Sequence, residues 1–259
     1  MISVIVCSAL PPTWKLHEEH VKDTISTTRY ILPDNYEEQF EYIRLDNHKG
    51  QFKSLCAAYN EGVKRARGDI LVFMHEDTNF METGWGKSLI NIFKDESIGA
   101  VGVCGTKKLL ADNPDWAAAG NPYVQGQLIF PHQRYVDAGI AEPAETPLVL
   151  IEYSPKINER TNVLALDGVF IAIRRNLFDM AQGFDHIRWD DKTFDNYHFY
   201  DLDICMQILQ KHRGRIVVTF DFTIIHYGKP IDQKDMKVHE RYGKRFLKKW
   251  KKRLPLETS

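Results

Sequence analysis

Cysteine is scarce in this 259-residue chain: four thiols, Cys7, Cys56, Cys104 and Cys205, with no CxxC pair among them. That spacing disfavours a disulfide framework. Each thiol sits in an apolar stretch, so four buried, reduced cysteines are expected. No segment approaches the roughly 20 apolar residues of a membrane-spanning helix. Met1 to Cys7 lacks a basic leader and a small-residue cleavage site, so no signal peptide is expected there. Charge of one sign is lacking too. Lysine and arginine total 34 against 35 acids, a net charge of −1, which excludes a general nucleic-acid coat. No internal repeat or low-complexity linker is present. The segment after the first apolar run, Ser8-Ala9-Leu10-Pro11-Pro12-Thr13, has no glycine. A triphosphate-cradling loop, and with it a sugar-phosphate nucleotidyltransferase, is therefore disfavoured.

What is present is a globular composition, 43% hydrophobic and 27% charged. The first half alternates strand and helix signals. Strands are expected over Ile2–Ser8, Phe40–Leu45, Asp69–Met74 and Ile98–Cys104, and helices over Trp14–Ser26, Phe52–Ala66 and Gly84–Phe93. That alternation predicts an α/β fold with a mostly parallel, Rossmann-like central sheet flanked by helices. The second half is less regular. It offers strands at Val124–Phe130, Leu148–Tyr153, Val163–Arg174, Arg215–Phe220 and Thr223–His226, and a helix over Phe199–His212. The expected organisation is a single domain over 1–235, with a nucleotide-binding half (1–123), an acceptor half (124–235) and a basic tail (236–259).

Three places carry chemistry. A buried strand ends in His75-Glu76-Asp77, and ligands of open α/β sheets bind outside the carboxyl ends of strands. A diphosphate there needs a divalent cation, for which Asp77 offers a hard oxygen and His75 an imidazole on the same face. Asp167-Gly168 interrupts an apolar run, a mark of close backbone or ligand approach. Asp201 and Asp203 open a helix; dipole and capping explain Asp203, and Asp201 is the candidate general base. His226, before a glycine, is structural or a metal ligand.

In order, Tyr59-Asn60-Glu61-Gly62, Ala66-Arg67-Gly68-Asp69 running into His75-Glu76-Asp77, Gly84-Trp85, Ile98 to Gly105, Leu166-Asp167-Gly168-Val169-Phe170, Phe199-Tyr200-Asp201-Leu202-Asp203 and His226 resemble the family 2 glycosyltransferases of the GT-A fold. They are most similar to a branch with His-x-Asp in place of Asp-x-Asp. The match covers about residues 2–228. The resemblance implies transfer of a sugar from a nucleotide-diphosphate sugar, UDP-linked by expectation, with Mn²⁺ or Mg²⁺ as the cation. It implies Asp77 and His226 as metal ligands, and Ser8, Asp46, Asn60, His75 and Glu76 near the nucleotide. It places Asp167 and Gly168 at the donor sugar, and Asp201 as the base of an inverting reaction. Tyr200 stands where the family has an acid beside that base, so a silent nucleotide-sugar-binding protein is the alternative.

The tail places Tyr242, Phe246 and Trp250 four residues apart among eight basic residues from Arg241 to Arg253. Such a helix packs its aromatics on the core with a solvated basic face, or lies on anionic lipid. A cytoplasmic protein is expected, with peripheral contact at the inner membrane surface as the second reading. The acceptor is a glycan, a lipid-linked sugar or a protein; no nucleic-acid partner is expected.

Overall fold

In this computed structural model, residues 1–13, 15–25, 40–133, 148–154, 160–179, 186–211, 214–228 and 233–258 are described. The first half contains β1 (Ile2–Ser8), α1 (Leu16–Ile25), β2 (Phe40–Asp46), α2 (Leu55–Arg65), β3 (Ile70–Met74), β4 (Thr78–Phe80), α3 (Trp85–Ile92), β5 (Ile98–Gly102), β6 (Cys104–Thr106) and β7 (Lys108–Leu109). The second half contains β8 (Val124–Pro131), β9 (Leu148–Glu152), β10 (Thr161–Val163), β11 (Ala165–Leu166), β12 (Phe170–Arg174), α4 (Tyr200–Lys211), β13 (Arg215–Val218), β14 (Ile224–His226), α5 (Gln233–Trp250) and β15 (Leu256–Glu257). Of the expected helix ends, Trp14, Ser26 and His212 lie outside the described residues.

The main sheet has seven strands in the order β10-β13-β5-β12-β3-β1-β2. β1 runs parallel to β2 and β3, and β5 runs parallel to β13. β12 enters antiparallel between β3 and β5. The sheet is therefore mixed. An apolar run signals burial on both faces but not strand direction, so the sequence could not show this inversion.

Two expected strands divide for one reason: the chain changes sheets. The run from Ile98 passes from β5 into β6, which belongs to a second, six-stranded sheet. The run from Val163 leaves β10, pairs with β6 as β11, and re-enters the main sheet as β12. Asp167-Gly168 is the point of return, with the Asp167 amide bonded to the Cys104 carbonyl at 3.0 Å.

Strand alternation feeds two apolar layers. Ile5, Leu71 and Phe73 face one layer with Tyr59 of α2, Ile208 of α4, and Tyr242, Phe246 and Trp250 of α5. Val4, Val6 and Val72 face the other, with Val21 of α1 and Trp85 and Leu89 of α3. The aromatic stripe of α5 is thus core, and the boundary expected at 235/236 falls inside this helix. The four cysteines are free thiols, with Cys56, Cys104 and Cys205 buried and Cys7 half-buried.

Candidate active site and metal centre

The site forms where β3 ends. The His75 amide donates to the Val169 carbonyl at 3.2 Å, tying this end of β3 to the segment entering β12. β4 follows at once and pairs antiparallel with β14, so that Thr78 lies opposite His226. The Tyr227 amide donates to the Asp77 carbonyl at 2.8 Å. This pairing closes a gap of about 150 residues in sequence and sets the His226 ring beside the Asp77 carboxylate.

His75, Asp77 and His226 each offer one ligand atom, and these atoms lie within 4.8 Å of one another. His226 Nε2 is 3.5 Å and His75 Nδ1 3.9 Å from Asp77 Oδ1. Burial opposes ionisation of Asp77, but the hydrogen bond and charge of His226, with His75, outweigh it and hold the carboxyl at about 2. Burial, then the neighbouring His226, lowers the pKa of His75. An anionic oxygen beside imidazole nitrogen is a donor set suited to a divalent transition metal. Space is kept open beside it: a Cβ on Gly228 would come within 2.5 Å of His226 Nε2 and 3.1 Å of Asp77 Oδ2. The sequence offers His75 both as an imidazole beside Asp77 and as a neighbour of the nucleotide; the fold sets it in the triad, on the wall shared by two clefts.

Two clefts meet at His75 and Asp77. One, of about 520 Å³, lies over the carboxyl ends of the first strands and is lined by Cys7, Ala9, Asn47, Lys53, Tyr59 and Glu76. Glu76 is fixed there by the Ser8 hydroxyl at 2.5 Å and the Ala9 amide at 2.8 Å. Ser8 itself is buried, and it holds Glu76 rather than facing the cleft. Asp46 binds the Arg44 guanidinium at 2.8 Å, and its neighbour Asn47 takes the cleft wall. Asn60 turns away, donating to the Trp189 carbonyl at 2.8 Å.

The second cleft, of about 590 Å³, is lined by Asp167, Gly168, Asp201 and the triad. Asp201 sits at the start of α4, with Oδ2 accepting from the Gly168 amide at 2.9 Å and Oδ1 from the Leu202 amide at 2.9 Å. Burial and the charge of Asp167 raise its pKa to about 7, against those backbone donors. Asp167 Oδ1 accepts from the Val169 amide at 2.8 Å, which steadies the turn. α4 is launched by Phe199, a non-glycine residue with left-handed backbone (φ 62°). That conformation costs on the order of 1–3 kcal/mol and survives where packing over-determines it. Here Phe246 of α5 packs on the Phe199 ring at 5.7 Å, and Gly243 leaves room for it.

A family model described as a glycosyltransferase-like family matches residues 13–250. The chain belongs to this family. The crystal structure of GalNAc-T7 with UDP, GalNAc and Mn²⁺ shares the fold of this glycosyltransferase-like chain at a TM-score of 0.52, with 17% identity, over 88% of this chain and 43% of that one. The fold is GT-A, as the resemblance implied. The mannosyltransferase PcManGT from Pyrobaculum calidifontis, with GDP-Man and Mn²⁺, aligns at a TM-score of 0.47 and 13% identity over 96% and 64% of the two chains. A curated relative, "ATP synthase subunits region ORF 6" of Fuscovulum blasticum, is 25% identical over 196 residues. That match covers 74% of this chain and 64% of the relative's length.

The far wall of the second cleft escaped the sequence reading. His239 Nε2 pairs with Asp115 Oδ2 at 3.0 Å, and the His198 ring meets His239 edge-on at 5.2 Å. Burial and His239 lower His198 to about 4. Trp116 and Tyr153, 5.4 Å apart, complete the wall. These residues come from four distant segments, and no local signal links them.

Proposed function

We propose that this glycosyltransferase-like chain moves a sugar from a nucleotide-diphosphate sugar, UDP-linked in our reading, to an acceptor hydroxyl with inversion. One observation carries the proposal: a carboxylate bracketed by two imidazoles stands where two clefts meet, with a second, weakly acidic carboxyl on the wall of one of them. The nucleotide takes the cleft beside Asn47, Lys53 and Glu76. The acceptor, a glycan, a lipid-linked sugar or a protein, enters the cleft of Asp201, Trp116 and Tyr153. Asp77, His226 and His75 would hold the divalent cation, whose charge offsets that of the departing diphosphate. Two imidazoles favour Mn²⁺ over Mg²⁺, which prefers oxygen. Asp201 accepts the acceptor hydroxyl's proton as that oxygen bonds the anomeric carbon; the carbon–oxygen bond to the diphosphate breaks, and its electron pair leaves with the diphosphate.

The test is calorimetric titration of UDP- and GDP-sugars with and without Mn²⁺, followed by an assay of donor hydrolysis. Mn²⁺-dependent binding with slow hydrolysis is expected. Binding with no turnover on any acceptor would favour the silent binding protein that Tyr200, in place of an acid, suggests. No Mn²⁺-dependent binding would overturn both.

We also propose peripheral contact with an anionic bilayer, with the protein in the cytoplasm at the inner membrane face. No helix among the described residues is long and apolar enough to cross a membrane. On α5, Arg245 turns to Asp195, and Lys249 to Asp190 and Asp203. Lys237, Arg241, Lys244 and Lys248 are exposed on one outward face and make no ion pair among the described residues. Cations near an anionic surface contribute about 1 kcal/mol each. Sedimentation with phosphatidylglycerol vesicles should exceed that with phosphatidylcholine and fall in K244E/K248E; equal sedimentation would remove the membrane contact.

A further inference from the structure

The Tyr200 ring is 3% exposed, and its hydroxyl has two polar neighbours: the Gly168 carbonyl oxygen at 3.2 Å and His75 Nε2 at 2.9 Å. A phenol has one proton to donate and, with an ordinary pKa of about 10, keeps it at neutral pH. A carbonyl oxygen can only accept. If the hydroxyl serves Gly168, its oxygen must accept from Nε2–H of His75. A neutral imidazole protonated at Nε2 has its lone pair on Nδ1. Nδ1 is the atom that faces Asp77. The opposite arrangement would put the proton on Nδ1, block the ligand atom, and withhold the phenol's proton from the Gly168 carbonyl.

We propose that Tyr200 is a positioning residue that fixes His75 in its Nε2–H form and so presents Nδ1 to the cation. The ligation half of this inference rests on the triad holding a divalent ion, as argued above; the tautomer half does not. Gly168 is part of the same device. A Cβ there would lie 2.1 Å from the Tyr200 hydroxyl oxygen, so a side chain at 168 would displace the phenol from both partners. The same glycine presents its amide to Asp201 at 2.9 Å. One turn thereby sets the orientation of a metal ligand and of the candidate base. Partners that orient a ligating histidine typically change metal affinity 10- to 100-fold (roughly) when removed.

Long-range ¹H–¹⁵N correlation spectra of histidine-labelled protein read the tautomer directly, at a pH where His75 is neutral and with His75→Gln to assign its signals. The wild type is expected to show a protonated Nε2 and an unprotonated Nδ1. Tyr200→Phe and Gly168→Ala are each expected to shift the balance toward Nδ1–H. Mn²⁺ affinity, read from the electron paramagnetic resonance of the unbound ion, should weaken about tenfold or more in Tyr200→Phe. Near-ultraviolet circular dichroism selects variants that keep the native fold. A wild-type His75 protonated on Nδ1, or a folded Tyr200→Phe with unchanged tautomer, would overturn the inference. The expected tautomer in a wild type that binds no Mn²⁺ would uphold the role of Tyr200 and remove the cation reading instead.

Discussion

Asp201 and Asp77 are both aspartates near the ends of secondary elements, yet their surroundings drive them apart. Burial and Asp167 raise Asp201 to about 7, whereas the two histidines hold Asp77 at about 2. A general base must be ionised, so kcat/KM should rise about tenfold per pH unit below about 7 and level off above it. A pH–rate profile that is flat between 5 and 8 would remove Asp201 from that role. The same shift has a stability consequence. The folded pKa exceeds the unfolded value of 3.8, so the native state binds the extra proton between those limits. Stability should therefore fall as pH climbs from about 4 to about 7, and Asp201→Asn should flatten that slope in urea titrations. Asp77→Ala should abolish Mn²⁺-dependent nucleotide binding, whereas Asp201→Asn should keep binding and lose turnover. Equal loss of binding in both, read by calorimetry, would refute that division. Asp77, His226 and Asp201 were singled out from residue type and position at element ends, and the fold sets all three on one cleft. That His226 closes on His75 and Asp77 was not legible in the sequence, because only the β4–β14 pairing brings its ring beside that carboxylate.

Among the elements, α5 shows how a sequence stripe becomes a structural claim. Tyr242, Phe246 and Trp250 recur at helical spacing and all three are buried in the core shared with α2 and α4. Trp250 Nε1 donates to Asp203 Oδ1 at 2.8 Å, and Lys249 and Gln207 satisfy the rest of that buried carboxyl. Burial still pushes Asp203 above its ordinary pKa. Trp250→Ala removes a large buried ring and one of these donors. A loss of about 3–5 kcal/mol is expected in urea unfolding; a loss under about 1 kcal/mol would mean the helix is only loosely docked. Strand positions were read well because apolar runs of four to eight residues are strong signals. Strand partners were not: β12 reverses the sheet's direction, and Ile98–Cys104 and Val163–Arg174 each divide between two sheets. Pairing depends on contacts between distant segments, which local pattern does not encode.

For the whole molecule, two clefts joined at one triad predict that nucleotide and cation stabilise together. A nucleotide sugar at 100 times its Kd would contribute about 2.7 kcal/mol, a rise in Tm of about 5–10 °C, with Mn²⁺ present. The same ligand without the metal should give a much smaller rise; equal shifts would separate nucleotide binding from the triad. By itself the sequence determined the α/β class and the strands that end at the site, which follow from periodicity and residue type, and its motifs in order carried the resemblance to the family. The tertiary structure decided which of them meet. It turned Asn60 to the Trp189 carbonyl, set Ser8 to hold Glu76, joined His226 to His75 and Asp77, and built the wall of Trp116, Tyr153, His198 and His239. Side-chain direction is fixed by packing between segments far apart in the chain, and that is settled only when the chain folds.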